Sequence, residues 1–352
     1  MKGKKIIFGV MAGLGWLGLA SLQAQTPPAV QQYQSIQRQQ EQLDKLNGNQ
    51  TGAVPDKAPE LYPGENADVG PQMLLRAQPR RQWVEASFDS QYYYTSNTFL
   101  VKETSPGSNT DTGVLVSTAQ VALVPTPYAI PGGELSPRLG FRYQWYNYGL
   151  DQTSNQDIPI GGLNSLDFDS ATLFAEVAYR FQQFWNFNVG VDGTQLMSHE
   201  QTRTTSDYHV FYKELVPRLG IERTYAINDN VGLSLAYNFY YHITQTDPVP
   251  YGNMNDRYDN SLTLTYTQQI IPRLVAQPYY RYTFTDYSGP TVKRSDMLHT
   301  VGMTMAYYFN NWASVRTFVS YDTNNSHGNP TSSAFNYENI NTGGGVNLTF
   351  KY

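Results

Sequence analysis

The stretch from Val231 to Ile243, VGLSLAYNFYYHI, alternates between two kinds of side chain. Its odd positions are aliphatic or aromatic, whereas its even positions carry Gly, Ser, Ala, Asn, Tyr and His. Because successive side chains of a β-strand point to opposite faces, this pattern predicts one long strand with an apolar face and a hydrophilic face. The strand is longer than the five or six residues that are typical of globular proteins.

Eleven further segments have the same period of two, and short links alternate with long polar links between them. The predicted strands cover residues 82–94, 113–125, 134–149, 166–180, 184–199, 206–224, 229–245, 257–269, 272–288, 294–309, 311–324 and 339–352. Long strands in even number, joined alternately by short and long links, are typical of outer-membrane barrels. We therefore predict an all-β fold, a transmembrane antiparallel up-and-down β-barrel of about 12 strands in the outer membrane.

The composition agrees with strands rather than helices as the membrane-spanning elements. Only 15% of the 352 residues are charged, against about 25% in average soluble proteins. Beyond the first residues, no run approaches the ~20 consecutive apolar residues that a transmembrane helix needs. The chain has 28 tyrosines and no cysteine, which excludes disulfides, thiolate metal sites and cysteine nucleophiles.

The N-terminal part of the chain divides into a targeting segment and a polar segment. Three lysines, a short apolar run and small residues near Ala24 predict a cleavable secretory signal peptide. The Gln-rich stretch that follows is compatible with a disordered tail, a short coiled coil, a partner-docking helix or a helix that enters a pore. We predict a signal peptide (1–24), a helical or disordered Gln/Pro-rich periplasmic segment with a linker (25–81) and the barrel (82–352).

The last seven residues, VNLTFKY, alternate in the same way and end on Tyr352. This end resembles the C-terminal strand that bacterial outer-membrane proteins present to the barrel assembly machinery. The resemblance implies that this machinery is a partner. Outer-membrane lipid and lipopolysaccharide are the other partners expected of such a barrel, together with a hydrophilic solute or oligosaccharide.

Pro-Arg-Leu occurs three times, around Arg138, Arg218 and Arg273, each time within a predicted strand. Strand phase places these arginines on the hydrophilic, inward face, mostly towards the periplasmic end, where they would form a girdle. Near Lys213 and Glu214 the phase slips, and a bulge with Pro217 would account for this. The candidates for pore lining and selectivity are Arg138, Arg142, Arg180, Arg218, Arg273, Arg281 and Arg316.

Two roles are open for these arginines. Permanently charged guanidinium groups that line a pore can select carboxylate- or phosphate-bearing solutes. Alternatively, they pair across strands with acidic residues of the inner face and brace the wall. The acidic candidates are Glu134, Glu176, Glu214, Glu222 and Asp192.

The sequence gives little support to catalysis or cofactor binding. Ser198, His199 and Glu200 are adjacent, but neighbouring residues of a strand point to opposite faces and cannot form a triad by themselves. The five histidines have no metal-ligand spacing. A basic run or a phosphate-binding glycine loop, which would indicate nucleic acid or nucleotide binding, is also missing. We predict no enzyme activity, no cofactor and no nucleic-acid partner.

Tyr94, Ser96, Asn97 and Phe99 follow one another in the first predicted strand and its exit. An aromatic residue followed by Ser-Asn and a bulky apolar residue resembles the opening strand of the β-barrel porin 2 type of outer-membrane proteins. The likeness covers about residues 82–352 and implies polysaccharide secretion or solute passage. Twelve strands with inward arginines are also similar to the oligogalacturonate- and sialate-type porins.

Together these patterns predict a porin-like channel through which small hydrophilic solutes diffuse. Anionic oligosaccharides and secreted polysaccharide are among the candidate passengers. The alternative is a structural or adhesive barrel with a plugged lumen and functional surface loops.

Overall fold

The computed structural model describes Tyr33 and residues 83–102, 111–150, 166–182, 184–198, 208–228, 230–246, 255–288, 293–328 and 335–352. The predicted signal peptide, and residues 25–81 except Tyr33, lie outside the described residues, so their boundaries stay predictions. In the part of the chain that is described, no helix has the length and apolar character needed to cross a membrane.

The described residues form thirteen β-strands. They are β1 (Val84–Thr95), β2 (Thr112–Leu123), β3 (Tyr128–Ile130), β4 (Gly133–Tyr148), β5 (Phe168–Phe181), β6 (Trp185–Ser198), β7 (His209–Asn228), β8 (Val231–Thr246), β9 (Arg257–Ile271), β10 (Leu274–Tyr287), β11 (Arg294–Tyr308), β12 (Ala313–Gly328) and β13 (Tyr337–Lys351). Except for the three-residue β3, each coincides with a predicted strand to within a few residues.

Twelve of these strands close into an antiparallel barrel. Each pairs with the next along the chain, β2 pairs with β4, and β13 pairs with β1 and so completes the ring. The short β3 lies against the first residues of β4. Closure leaves no free sheet edge, as a structure surrounded by lipid requires. The predicted all-β, 12-stranded barrel is therefore confirmed.

The two ends of the barrel differ in their links. At one end the strands are joined by tight turns such as residues 272–273 and 309–312, and at the other by longer loops such as 149–167. The first and last strands also meet at the tight-turn end, where the Trp83 amide donates to the Tyr352 carbonyl at 2.6 Å. Short turns and both chain ends mark the periplasmic side of such barrels.

The outer wall is apolar, whereas the inner face of strands such as β9 is hydrophilic. In β9, Leu262 and Leu264 face outward and are 45% and 43% exposed, whereas Thr263 between them faces inward and is 1% exposed. Apolar side chains that stand free on the outside of a closed barrel are positioned to contact lipid. The alternation that the sequence predicts therefore separates lipid from lumen.

Two outward cations on β7 mark the height of the apolar belt. Lys213 and Arg223 are both exposed, and Leu215, Leu219 and Ile221 lie between them on the same face. Ten residues extend about 33 Å along a strand, and at a tilt of ~40° this is about 25 Å of height, as expected for the lipid-facing band. Lys213 therefore lies at the outer boundary of the band and Arg223 at the periplasmic boundary.

The bulge predicted at Pro217 is wrong in position. The register between β6 and β7 shifts opposite Leu196 and Met197, where Phe211 is the extra residue. Pro217 pairs in continuous register with Val191, and its exposed ring lies on the outer face. The missing proline donor leaves only a local gap in the ladder towards β8. From Tyr212 to Ala226 the phase is regular, so Glu214 and Arg218 both face inward.

Candidate lumenal site

The inner face of β9 is hydrophilic from one end of the strand to the other. Its consecutive inward residues are Arg257, Asp259, Ser261, Thr263, Thr265 and Thr267. The side chains between these residues face the lipid. A shift of one residue in the register of β9 would exchange the two sets. Hydroxyl, carboxylate and guanidinium groups therefore line the lumen along β9.

Arg138 faces the lumen near the periplasmic end and joins three strands. Its Nη2 donates to Glu85 Oε1 on β1 at 2.6 Å, and its Nη1 lies 3.6 Å from Glu176 Oε1 on β5. Lys351, near the chain end, lies 3.7 Å from the other oxygen of Glu85. The Arg138 guanidinium also lies 5.4 Å from the centre of the Phe174 ring. These contacts brace β1, β4, β5 and β13 against one another.

Arg218 continues the same chain of ion pairs. Its Nη2 donates to Glu176 Oε2 at 2.6 Å, and its Nε donates to Asp192 Oδ1 at 3.4 Å. The side chain lies over Gly190, where a Cβ would come within 3.0 Å of Arg218 Nε. Glycine on the neighbouring strand thus lets the guanidinium lie along the wall. Glu176 and Asp192 are two of the acidic partners that the sequence suggests.

Arg316 belongs to a separate buried pair. Its Nη2 donates to Asp89 Oδ1 at 2.5 Å and to Gln91 Oε1 at 3.3 Å. Asp89 also accepts a hydrogen bond from the Asn347 amide at 3.3 Å. Because β13 lies between the strands of Arg316 and Asp89, the pair ties β12 to β1 across the seam at which the barrel closes.

Three more of the predicted arginines have inward phase. Arg142 lies 5.9 Å from the centre of the Phe174 ring, which Arg138 also contacts. Arg281 is buried, and its Nε donates to Thr263 Oγ1 at 3.3 Å. Arg180 is exposed at the periplasmic rim, opposite Glu134 in the register of β4 and β5.

The predicted lumenal position of Arg273 is wrong. Arg273 lies in the tight turn between β9 and β10 with a φ of 76°, and its side chain is exposed. Its Nη1 donates to the Phe309 carbonyl of the adjacent periplasmic turn at 3.1 Å. The strand therefore begins two residues later than the phase argument assumes. The proposed girdle loses this member.

A second charged cluster, not predicted from the sequence, lies towards the extracellular end. His242 Nδ1 is 3.2 Å from Glu214 Oε2, and its Nε2 is 3.3 Å from Asp259 Oδ2. Arg257, only 1% exposed, places Nη2 3.0 Å from His242 Nδ1, and Tyr212 donates to Glu214 at 2.9 Å. This cluster joins β7, β8 and β9 from the inside.

Arg294 lies next to that cluster and is held by aromatic rings. Its guanidinium is 4.0 Å from the centre of the Tyr287 ring and 3.8 Å from that of Phe335, and its Nη2 is 3.1 Å from Asp296 Oδ2. A cavity of about 40 Å³ is lined by Arg257, Arg294 and Asp296 among others. That volume is sufficient for ordered water.

The first residues of the β1–β2 loop fold over this region. Asn339 accepts hydrogen bonds from the hydroxyls of Thr95 and Ser96 and from the Asn97 amide, at 3.0 to 3.2 Å. Leu100 then lies 2% exposed against the cavity, with a φ of 51° that is unusual for leucine. Ser96 and Asn97, which carry the family resemblance, therefore hold the loop at the mouth.

An aromatic cluster fills the lumen on the β1–β7 side. Tyr146 stacks on Phe168 with ring centres 4.3 Å apart, and Phe168 meets Phe211 edge to face at 6.4 Å. Tyr33, which precedes the barrel by about fifty residues, is part of this cluster and is 4% exposed. The cluster comprises Tyr33, Tyr93, Val114, Val116, Tyr146, Tyr148, Phe168, Leu196, Phe211, Tyr212 and Phe318.

Inward side chains of β11 and β12 are almost inaccessible to water, as Thr304 at 3% and Ser320 at 2% illustrate. Small side chains in an open, water-filled pore would be far more exposed. These side chains therefore do not line an open, water-filled space.

Of the three adjacent residues weighed for catalysis, Ser198 is described. Its hydroxyl donates to the Asp167 carbonyl at 2.8 Å at the extracellular end of β6. His199 and Glu200 lie outside the described residues.

Comparison with known protein families and with curated proteins finds no match. Among solved structures, the chain is similar to an outer membrane channel from Pseudomonas putida F1, with a TM-score of 0.50 and 12% identity over 83% of this chain and 100% of that chain. The beta domain of the Bordetella autotransporter Brka gives a TM-score of 0.42 and 11% identity over 77% and 100% of the two chains. The KdgM porin in complex with disordered oligogalacturonate gives 0.35 and 10% over 75% and 99%. The likeness to the Pseudomonas channel, together with the closed barrel and its apolar outer wall, identifies an outer-membrane β-barrel of porin-like fold.

Proposed function

We propose that the protein is a channel through which small hydrophilic solutes diffuse across the outer membrane. The observation that carries this proposal is the inner face of β9, which is polar at every position from Arg257 to Thr267. A polar lining replaces part of the hydration shell of a solute, which lowers the barrier to its passage. An interior that only had to be filled would be more stable with apolar side chains, because each buried polar group needs a partner.

The charges of the lumen favour neutral or weakly charged solutes over strongly anionic ones. Arg138, Arg218 and Arg316 each have a carboxylate within hydrogen-bonding distance. A paired guanidinium attracts a passing anion less than a free one because the nearby carboxylate cancels most of its field. We assign wall bracing to these three residues. Selection of anionic oligosaccharides or secreted polysaccharide would then depend on the net charge of the lumen, to which Arg142, Arg180 and Arg281 also contribute.

A second candidate function is a structural or adhesive barrel that carries no solute. The burial of Tyr33 and of the inner wall supports this reading, because a filled lumen needs no opening to serve as a scaffold. The two functions differ in whether ions and solutes can pass through the lumen, so they make opposite predictions for ion flow.

Planar-bilayer recording of the refolded full chain, and of a variant that lacks residues 25–81, separates these functions. We expect discrete conductance steps, at least for the shortened variant, with weak preference between anions and cations. If neither protein conducts, the channel is refuted and the structural function stands. For selectivity, Arg142→Gln is compared with the exposed Arg273→Gln. A reversal potential that shifts towards cations in the first variant alone would support an anion track.

We also propose that β13 is the strand recognised by the barrel assembly machinery. Its outward residues Val346 and Phe350 are exposed, at 49% and 38%. Replacing both by Asp should reduce the heat-modifiable, folded fraction in the outer membrane at equal expression. Unchanged assembly would refute this role. Lipid and lipopolysaccharide would surround the apolar belt.

A further inference from the structure

The outer face of β6 has a gap in the apolar belt at Gly193. The outward residues that precede it, Val189 and Val191, have exposed aliphatic side chains, whereas Gly193 has none. Its paired neighbours are Leu173 on β5 and Leu215 on β7. A groove of about 790 Å³ opens at this place on the lipid-facing side. Its volume lies within the range of small-molecule binding sites.

The backbone conformation and the packing of the wall do not require glycine at position 193. A Cβ on Gly193 would lie 3.9 Å from the Leu173 carbonyl oxygen and 4.0 Å from Leu215 Cδ1, which are ordinary van der Waals distances. Glycine inside a strand weakens the strand and often marks a place that a ligand approaches closely. The missing side chain therefore provides space on the outer face and serves no evident need of the fold.

The sides of the groove are apolar. Leu173, Leu215 and Ile243 are 61%, 47% and 45% exposed. They lie in one row with Gly193, because Leu173 pairs with Gly193, which pairs with Leu215, which in turn pairs with Ile243. From β5 to β7 the row spans two strand spacings, about 10 Å. Aliphatic side chains on both sides of an empty position fit a chain of methylene groups.

The extracellular end of the groove is polar. One outward position further along, Gln195, Lys213 and Gln245 form a second row across β6, β7 and β8, and all three are exposed. This row lies about 7 Å from the apolar row, at the outer boundary of the lipid-facing band that Lys213 marks. The stem of a lysine can lie along apolar surface while its ammonium group stays in the headgroup zone. The groove therefore combines aliphatic sides with a cation between two amides.

We propose that this groove is a specific binding site for lipopolysaccharide, with an acyl chain over Gly193, a phosphate at Lys213 and sugar hydroxyls at Gln195 and Gln245. Lysine binds phosphate as a point charge, and side-chain amides both donate hydrogen bonds to hydroxyl groups and accept them. Charge and height assign the occupant, because the cation lies at the extracellular boundary, where lipids with phosphorylated sugar headgroups meet the barrel. All of these side chains face outward, so the site goes beyond the proposed channel and does not depend on it.

The test is native mass spectrometry of the refolded full chain in detergent, titrated with lipid A, the phosphorylated and acylated sugar of lipopolysaccharide. Lys213→Gln removes the charge but keeps a polar side chain, so we expect binding to weaken about tenfold. Arg223→Gln is the matched control, because it removes an outward cation from the periplasmic boundary of the same strand and should bind as wild type. Heat modifiability on gels verifies that each variant forms a barrel.

Gly193→Phe tests the groove itself. The ring would occupy the space assigned to the acyl chain. Because detergent hydrocarbon surrounds the displaced chain, only packing contacts are lost, and we expect binding to weaken about fivefold. Val189→Phe places the same ring on the same face of β6 but outside the groove, so it should bind as wild type.

Two further lipids separate charge from shape. Dephosphorylated lipid A should bind wild type about tenfold more weakly than lipid A does. Lys213→Gln should not distinguish these two lipids, because the substitution and the dephosphorylation remove the same contact. Phosphatidylglycerol has a phosphate and acyl chains but lacks the acylated sugar, so it should bind wild type more weakly than lipid A.

The outcomes that overturn the proposal are specific. Equal losses in Lys213→Gln and Arg223→Gln, or equal binding of lipid A and phosphatidylglycerol, would refute the site. If excess inorganic phosphate displaces lipid A while Gly193→Phe binds normally, the site holds an anion only and the assignment to lipopolysaccharide falls. Planar-bilayer conductance is a separate readout, which Lys213→Gln should leave as in wild type. If wild type does not conduct, the channel fails, and the lipid titration still decides this site.

Discussion

Replacement of Arg316 by methionine tests whether ion pairs inside the lumen hold the wall together. The guanidinium is 6% exposed and bonds Asp89 at 2.5 Å and Gln91 at 3.3 Å. Methionine retains an unbranched apolar side chain but leaves the Asp89 carboxylate buried beside a single amide donor, Asn347. Breaking a buried pair from one side costs about 3–5 kcal/mol. Because the Asn347 contact offsets part of this, we expect the free energy of unfolding to fall by about 3 kcal/mol.

Reversible urea unfolding in phospholipid vesicles, followed by tryptophan fluorescence, measures this change. Arg273→Met removes the same group from an exposed turn and should stay within about 0.5 kcal/mol of wild type. The double variant Arg316→Met with Asp89→Leu removes both charges and should recover at least half of the loss. The reasoning is refuted if Arg316→Met costs no more than Arg273→Met, or if the double variant is less stable than the single one.

Three further predictions concern the backbone and the mouth of the barrel. A methyl group at Gly343 would overlap the backbone of β1, so Gly343→Ala should destabilise the barrel by about 1–3 kcal/mol in urea unfolding; Gly232→Ala, with its nearest contact at 3.7 Å, should not. Arg273→Gly should stabilise by about 0.5 kcal/mol, because glycine adopts the observed φ of 76° without strain, and a loss above about 1 kcal/mol would contradict this. Asn339→Ala removes three hydrogen bonds that hold residues 95–97, so protease cleavage in the β1–β2 loop should rise about tenfold, whereas the exposed Asn325→Ala should leave the rate unchanged.

The predictions of which side chains face the lumen came mostly from the phase of the strands. A residue within a long strand can only point in or out, so Arg138, Arg281 and Arg316 follow from the period alone. This argument does not apply to residues at strand ends, because they can lie in a turn instead of in the strand. Arg273 falls in a turn because β10 begins at Leu274 and not at residue 272. A two-residue difference at a boundary is enough to move a charged side chain out of the lumen.

The extracellular charged cluster had a signal in the sequence that the arginine argument did not use. Arg-x-Asp opens both β9, as Arg257 and Asp259, and β11, as Arg294 and Asp296. Both strands begin at the extracellular end, and the two residues of each motif share the inward phase. The repeat therefore indicates a charged layer at the mouth. Which other groups complete it, such as His242, depends on register between strands, which sequence alone leaves open.

The position of Tyr33 could not be derived from the sequence at all. A Gln-rich stretch with a weak apolar repeat favours a free tail and is also compatible with a coiled coil, a partner-docking helix or a pore-entering helix. The choice among them depends on whether the lumen offers a matching surface. That surface is assembled from at least three strands, through Tyr146, Phe168 and Thr194. No local pattern in any one strand specifies it.

The filling of the lumen and the stability of the barrel depend on different residues. The ion pairs of Arg138, Arg218 and Arg316 join wall to wall, so their loss weakens the barrel whether or not solutes pass. Tyr33 contacts the wall but takes no part in its strand pairing, so its loss changes what fills the lumen and leaves the ring of strands intact. Breaking one ion pair is therefore expected to lower the free energy of unfolding, whereas removing the Tyr33 side chain is expected to change only the contents of the lumen.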